Sequence, residues 1–506
     1  MRHPPPKCDP DTRLEILKKL RAWIRRKGGS NRCRIFWVYG TVGVGKSAIA
    51  QTLCEEFAGS NMLANFFFSR TDSTRNNVNQ FVATIAYQLA TYQGQLNHRW
   101  TKSAIMEVVR ENPNILDGVS MESVFEQLVL RPCLAVRSWM RTKGVVVVDG
   151  LDECLDVKSQ ERLLLLLWKA VTANPSPPID FLLFSRPDRQ IVGYFNRICQ
   201  TELERMGITN TFQTDRDIET FLNARFREIT KKHSTAMKNV PEVWPGSSIV
   251  TQLVQKACGQ FVYATTVAKY VDDPHALPTE RLDEILNMKT ESCPYTDLDL
   301  LYHQILRNCR DIRTVKRILQ LVLYSESDIA SNEPWLIAWV LELKEEMIPI
   351  LLSALHSVLD VPDANTHERI QVYHASFSDY LRDAERSKEF FVPPPPDCLR
   401  LHATFLSELR DIRSRHCLPH SWPGKTSIEH VIERASGEVA YLQALARYLY
   451  LCGGKPEEEL AAILQSEPDY PSMTARILLL YDHIARGYGD SQLTPDWNIL
   501  APLHEW

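Results

Sequence analysis

The sequence has no run of about 18 apolar residues, so no segment reads as a helix that spans a bilayer. Its start, MRHPPPKCDPD, has no apolar centre, which argues against a secretory signal. Neither charge sign dominates: 58 basic residues face 62 acidic ones, a net charge of −4. That balance excludes a general attraction to nucleic acid or to an anionic membrane. The 12 cysteines include no C-x-x-C pair, and Cys54, Cys154 and Cys258 sit inside apolar segments. Such usage reads as reduced, mostly buried thiols of a cytoplasmic protein, not as a disulfide framework or a zinc site. There is no internal repeat of about 30 to 45 residues and no low-complexity tail, so solenoid and propeller architectures are not expected.

What is present is a globular composition, 44% hydrophobic and 24% charged over 506 residues, enough for roughly three domains. Residues 12–27, TRLEILKKLRAWIRRK, carry apolar residues at 14, 17, 20, 23 and 24, a helical stripe that Asp11 or Thr12 can cap. The basic residues of this segment (Lys18, Lys19, Arg21, Arg25 and Arg26) read as a solvated face, with contact to an acidic partner as the alternative. From residue 30 to 214 short apolar runs at 34–39, 62–68, 144–149 and 180–185 alternate with helical stretches, and a weaker run lies near 207–213. This alternation predicts an α/β domain with a parallel five-stranded sheet and helices on both faces.

Beyond residue 215 the strand signal fades. Helical patterns fill 215–275, and DDPHALP marks a boundary. Helices and one strand, RIQVYHA, occupy 276–390, the proline run 391–397 reads as a stiff linker, and 398–506 is again helical.

The chemistry begins at residues 40–47, Gly-Thr-Val-Gly-Val-Gly-Lys-Ser, a full match to G-x-x-x-x-G-K-[ST]. Glycines let successive backbone N–H groups turn inward around an anion. Gly40, Thr41, Gly43, Val44, Gly45 and Ala48 are expected to line the cradle, Lys46 to reach the β- and γ-phosphates, and Ser47 to offer its hydroxyl to Mg²⁺. The loop lies between an expected strand (34–39) and an expected helix (46–58), whose N-terminal partial charge faces the phosphates.

A second segment, KGVVVVDGLDEC at 143–154, ends a buried strand in Asp149 and continues into Asp152 and Glu153. An aspartate at the end of such a strand holds Mg²⁺ in P-loop enzymes, and one of the two following acids can orient a water. Taken alone, DGLDE also fits a helix cap or a solvated turn. The 103 positions from Lys46 to Asp149, with the strand LANFFFS between them, favour the additional-strand class of P-loop NTPases. The next strand, IDFLLFSRPDR, ends at Ser185 and Arg186. Arg186 is placed to sense a γ-phosphate, or to form an ion pair at the sheet rim.

Together WVYGTVGVGKSAIAQTL, FFFSR, VVVVDGLDEC and FLLFSRPDR resemble the NACHT domain of signal-transducing P-loop ATPases, in the form found in fungal nephrocystin-3-like proteins. CDPDTRLEILKKLRAWI is similar to the segment preceding the cradle in that family. LVQKACGQFVYATTVAKYV is similar to its first helical domain, and VYHASFSDYLRD to the end of its winged-helix domain. The resemblance covers about 8–390 and implies Lys46, Ser47 and Asp149 as the Mg-nucleotide site. It also implies Arg186 as first sensor and Asp152 with Glu153 as the acidic pair. His374, by sequence alone an ordinary core histidine, matches one that contacts the β-phosphate of bound ADP and latches the resting state. Three departures stand out: no proline occurs in ACGQFVYA, only 33 residues precede Arg34, and no ankyrin, tetratricopeptide or WD repeats follow Pro393.

The resulting expectation is a regulatory switch that binds ATP or ADP with Mg²⁺ and hydrolyses ATP slowly. Its expected partners are proteins, including further copies of itself in a nucleotide-dependent oligomer, and not nucleic acid. Alternatives are a nucleotide-stabilised scaffold without turnover and an AAA+-like remodelling ATPase. A metabolic kinase would need an arginine-rich lid, for which RTDSTRNN is too short.

Overall fold

A computed structural model of the chain describes residues 6–26, 33–70, 73–91, 98–113, 115, 120–135, 144–154, 156–173, 178–197, 202–208, 212–238, 240–241, 243–288, 297–324, 332–362, 368–396 and, with interruptions, 405–465. The helical expectation beyond residue 465 lies outside the described residues. The chain divides into two compact units: Met1–Ile305 with His374–Phe377, and Leu306–Tyr373 with Ser378–Trp506.

The first unit opens with α1 (Leu14–Arg25), then β1 (Ile35–Tyr39), α2 (Lys46–Glu56) and β2 (Met62–Phe67). Next come α3 (Val78–Thr91), α4 (His98–Glu111), α5 (Met121–Phe125) and α6 (Arg131–Ala135). Then follow β3 (Gly144–Asp149), α7 (Val157–Thr172), β4 (Ile179–Ser185), α8 (Arg189–Arg197) and β5 (Leu203–Gly207). The five strands form one sheet in the order β2-β3-β4-β1-β5, and every neighbouring pair is parallel. Alternate side chains pack to opposite faces, as the pleat requires. Ile35, Trp37, Val146 and Val148 join α3, α5, α7 and α8, whereas Phe36, Val38, Val145 and Val147 join α1 and α2.

Several expectations are corrected or refined here. The strand lying between the loop-bearing β1 and the acid-bearing β3 is β4, while LANFFFS forms the sheet edge as β2. The additional-strand arrangement holds, but a later segment supplies the strand. The fifth strand covers 203–207, with the alternately polar sequence LERMG, because an edge position leaves most of it only half-buried. At α1, Leu17, Leu20, Trp23 and Ile24 are buried as expected, but Leu14 in the first turn is half-exposed. Neither Asp11 nor Thr12 caps it. The N-cap is Arg13, in the left-handed region at φ 56°, and the Thr12 hydroxyl donates to the Asp9 carbonyl instead. The basic residues of the lead-in meet acids of the same unit: Arg21 and Arg25 both bridge Glu56, and Lys19 bridges Glu204.

The unit continues through four helices, α9 (Phe212–Lys232), α10 (Ser247–Ala257), α11 (Phe261–Val271) and α12 (Pro278–Leu286). Cys258 and Gly259, at φ 47° and 77°, break α10 from α11, and Cys258 is exposed, contrary to its apolar setting in the sequence. α13 (Asp297–Arg307) closes this stretch.

The second unit holds α14 (Ile312–Leu323), α15 (Pro334–Val340), α16 (Met347–Leu352) and an antiparallel pair, β6 (Leu359–Asp360) with β7 (Gln371–Val372). α17 (Ala375–Arg382) follows, its residues Ala375–Phe377 counted with the first unit. One core of the second unit joins Leu336 to Phe405, Ile428, Leu442 and Leu449. The proline run is packed where it begins: Val392 is buried, and its carbonyl accepts from the Tyr324 hydroxyl.

Candidate functional site

The strand ends set the site. Tyr39 lies opposite Ser185 and Gly207, and Asp149 lies opposite Phe184 and Phe67. The loop after β1 and the acids after β3 therefore emerge on the same sheet edge, two strand spacings or about 10 Å apart.

The loop needs its glycines for different reasons. A Cβ on Gly40 would stand 2.9 Å from the Ile208 carbonyl oxygen. At Gly43, φ +80°, it would stand 2.3 Å from Val262 Cγ1, whereas at Gly45, φ +88°, space is open and only the backbone demands glycine. Gly45 is also the N-cap of α2 and supplies no side chain to the first helical N–H groups. Those donors face the loop, the arrangement that receives an anion. Lys46 Nζ donates to the carbonyls of Gly40 (2.8 Å) and Thr41 (2.9 Å), folding its ammonium back over the loop. Burial lowers the Lys46 pKa, and the nearby Asp152 and Asp149 act against that shift.

On β3, Asp149 is buried and hydrogen-bonded by the Ser47 side chain. Burial raises its carboxyl pKa to about 7, with Glu153 and Asp152 adding like-charge repulsion against the opposing pull of Ser47 and Lys46. Ser47 and Asp149 thus meet, as a shared metal site requires. One hydroxyl and one carboxylate suit Mg²⁺, which keeps most of its shell as water and phosphate oxygens. Among the described residues no group of three or more His, Cys, Asp or Glu is arranged to hold a metal ion.

Gly150, at φ +71°, turns the chain past the Phe68 carbonyl into a short turn, Leu151–Glu153. Asp152 then points back at Arg186: one oxygen accepts from the Arg186 backbone N–H (2.9 Å), the other pairs with Nε (3.0 Å). The Glu153 carboxylate accepts from the Arg70 backbone N–H at 3.3 Å, and the Arg70 guanidinium donates to the Asp152 carbonyl at 3.1 Å. Arg70 also bears on Asp188, whose pKa burial raises first and Asp152 second, with Arg186 and Arg70 opposing. The site therefore holds three cations, Lys46, Arg70 and Arg186, around four acids.

His374 belongs to the first unit. Its Nδ1 accepts from the Ser376 backbone N–H at 3.1 Å and lies 2.6 Å from the Ser376 hydroxyl, which in turn lies 2.7 Å from the buried Tyr302 hydroxyl.

Three contributors escaped sequence reasoning. Arg70 was visible only as the last residue of FFFSR. Val262 donates its N–H to the Gly43 carbonyl at 3.1 Å, which docks the start of α11 on the loop. Arg13, 4% exposed, donates to the Val44 carbonyl at 2.7 Å. No local signal marks either of the last two, because both act through contacts far along the chain.

Comparison with known proteins agrees with this geometry. Residues 12–186 match the nephrocystin 3, N-terminal family, a span from the lead-in through Arg186. No curated protein matches the chain. Among solved structures, a Walker-type ATPase of Pyrococcus abyssi is 14% identical over 75% of this chain and 98% of its own, at a TM-score of 0.35, too loose a likeness to bear on the fold. The complete loop motif, the parallel sheet and the acid-bearing strand one place removed from β1 agree with a nephrocystin-3-like P-loop NTPase core. Among the described residues no helix is long and apolar enough to cross a membrane.

Proposed function

We propose that the protein is a nucleotide-dependent switch that binds ATP or ADP with Mg²⁺, hydrolyses ATP slowly and works through protein partners. The observation carrying this reading is the docking of α11 on the phosphate loop: Val262 donates to the Gly43 carbonyl and packs where a Gly43 Cβ would stand. A loop that cradles phosphate on one side and holds a helical segment on the other ties occupancy to helix position. Switching then requires only that ATP and ADP bind the docked and released states with different affinity.

In this reading the helical segment 215–275 is the moving part, 276–390 a winged-helix domain and 398–506 a further helical domain. Lys46 exchanges the Gly40 and Thr41 carbonyls for phosphate oxygens, and Ser47 with Asp149 holds Mg²⁺, which neutralises charge on the β- and γ-phosphates. Glu153 orients the attacking water. Asp152 acts through Arg186, holding that guanidinium at the sheet edge for the γ-phosphate. His374 donates to the β-phosphate of ADP. The alternative of a scaffold stabilised by nucleotide without turnover differs at one measurable point, hydrolysis.

The test is to identify the nucleotide that co-purifies with the protein and to measure molecular mass in Mg-ADP and in a non-hydrolysable Mg-ATP analogue. Bound ADP and a mass that grows with the analogue support the switch. Equal mass and equal affinity for the two nucleotides overturn it, and binding without any phosphate release moves the reading to the scaffold.

A further inference from the structure

Arg13 sits at the N-cap of α1 in a left-handed backbone conformation, φ 56°, that a non-glycine residue adopts only where its surroundings compel it. Its guanidinium is buried and makes contacts 31 and about 200 residues away in sequence. One terminal nitrogen donates to the Val44 carbonyl at 2.7 Å. The other donates to the Thr214 hydroxyl at 3.1 Å and lies 3.9 Å from the Asp217 carboxylate. The plane rests over the Phe261 ring, 4.6 Å from its centroid, and the Arg13 backbone N–H also bonds Asp217. One side chain thus joins the lead-in, the phosphate loop and the starts of α9 and α11.

A trans peptide is planar, so its carbonyl and the following N–H point in opposite directions. A carbonyl held on the outside of the loop turns the next N–H to the inside. Val262 holds the Gly43 carbonyl and so aims the Val44 N–H. Arg13 holds the Val44 carbonyl and so aims the Gly45 N–H. Two consecutive donors of the cradle are therefore oriented by groups outside it. Both groups depend on the helical segment, because Asp217, Thr214 and Phe261 fix the Arg13 fork.

We infer that Arg13 is a positioning residue that couples the phosphate loop to the helical segment: docking of α9 and α11 sets the fork, the fork sets the Val44–Gly45 peptide, and that peptide sets affinity for the phosphates. This inference rests on the reading of the loop as a nucleotide cradle. It adds that release of the helical segment loosens phosphate binding through one named peptide.

The experiment compares full-length wild type with R13K and with R13M/D217N, measuring ADP affinity, ADP release rate, melting temperature and amide exchange over 43–47. R13K keeps the charge beside Asp217 but loses the fork that reaches two elements at once. R13M/D217N removes both buried charges together and avoids stranding either one. Both variants are expected to melt near wild type, to bind ADP about tenfold more weakly with faster release, and to exchange the Gly45 amide faster. A control, R34M/D180N, removes a buried ion pair, Arg34 Nε to Asp180 at 3.1 Å, outside the loop. It should leave ADP affinity alone, whatever its effect on melting temperature. Wild-type ADP affinity in R13K, or in folded R13M/D217N, overturns the role of Arg13 and leaves the switch reading intact. Absence of ADP binding in wild type overturns both.

Discussion

Asp152 and Arg186 hold each other: one carboxylate oxygen takes the arginine backbone N–H at 2.9 Å and the other lies 3.0 Å from its Nε. Asp152 is 3% exposed, so its charge is matched by the arginine and not by water. A carboxylate used in this way is a poor candidate for accepting a proton from water, and Glu153 beside it is the better one.

This pairing predicts kinetic non-additivity. D152N and R186A should each slow single-turnover ATP hydrolysis by about 10²-fold, and the double variant should be no slower, since both remove one positioned guanidinium. E153Q should abolish turnover with ATP affinity retained. Losses that multiply in the D152N/R186A double variant would show that the two residues act independently.

Lys46 is the second test. Its ammonium is held by two loop carbonyls that remain after the lysine is removed. K46A should therefore lower ATP and ADP affinity by at least about 100-fold, the loss of a charged partner to phosphate, while the melting temperature of nucleotide-free protein moves little. Calorimetric titration decides it, and retained affinity would mean that the phosphates bind elsewhere.

The loop and β3 were legible because each is a contiguous signal. The phosphate loop carries all its chemistry in eight neighbouring residues, and Gly144–Val148 is apolar throughout because helices cover both faces. Strand order was not legible, since nothing local tells β4 from β2 as the strand beside β1. The apolar run near 207–213 marks β5 several residues late, because an edge strand needs no continuous apolar run. Arg13 looked like any charged residue at a helix start, and its value comes from Asp217 and Val44, which only the fold brings to it. Asp152 and Glu153 were found as a pair, but their division of labour depends on side-chain directions that spacing does not encode.

Asp149 predicts an unusual pH dependence. Its folded pKa, about 7, lies above the ordinary aspartate value of 3.8. The folded state therefore binds the proton more tightly than the unfolded one. The stabilising contribution is fully present below about pH 4 and is lost as pH rises through 7, on the order of 4 kcal/mol in total. D149N removes a carboxylate that must ionise in a buried site. In nucleotide-free, metal-free protein it should raise the melting temperature most at pH 8, less at pH 5 and little below pH 4, while Mg²⁺-dependent nucleotide binding weakens. A melting temperature lowered by D149N at pH 8 would contradict the burial argument.

The glycines give an internal comparison. Gly43 and Gly45 share left-handed backbones, φ +80° and +88°, but only Gly43 meets a neighbour, Val262 Cγ1. G45A should cost about 1–2 kcal/mol, the backbone strain alone. G43A should cost clearly more, and V262A should recover part of that excess by vacating the space. Thermal or urea unfolding of G45A, G43A, V262A and G43A/V262A measures this. Equal costs for G43A and G45A would mean that α11 does not press on the loop.

His374 provides the last test, and its hydrogen bonds set the terms. A backbone N–H can only donate, so the bond from Ser376 N assigns the Nδ1 lone pair to that contact and places the proton of the neutral ring on Nε2. The Ser376 hydroxyl, supported by Tyr302, reinforces the same tautomer. His374 thereby carries its proton on Nε2, a donor chemistry that suits a phosphate oxygen. H374A should speed ADP release about tenfold, the loss of one hydrogen bond to a charged acceptor. H374Q, whose amide nitrogen reaches nearly as far as Nε2, should fall between H374A and wild type. Y302F should act in the same direction but more weakly, since it loosens only the support of the ring. ATP-analogue release should change less than ADP release in all three, because the proposed latch belongs to the ADP state. An ADP release rate unaltered in H374A would remove the latch and leave the P-loop site standing without it.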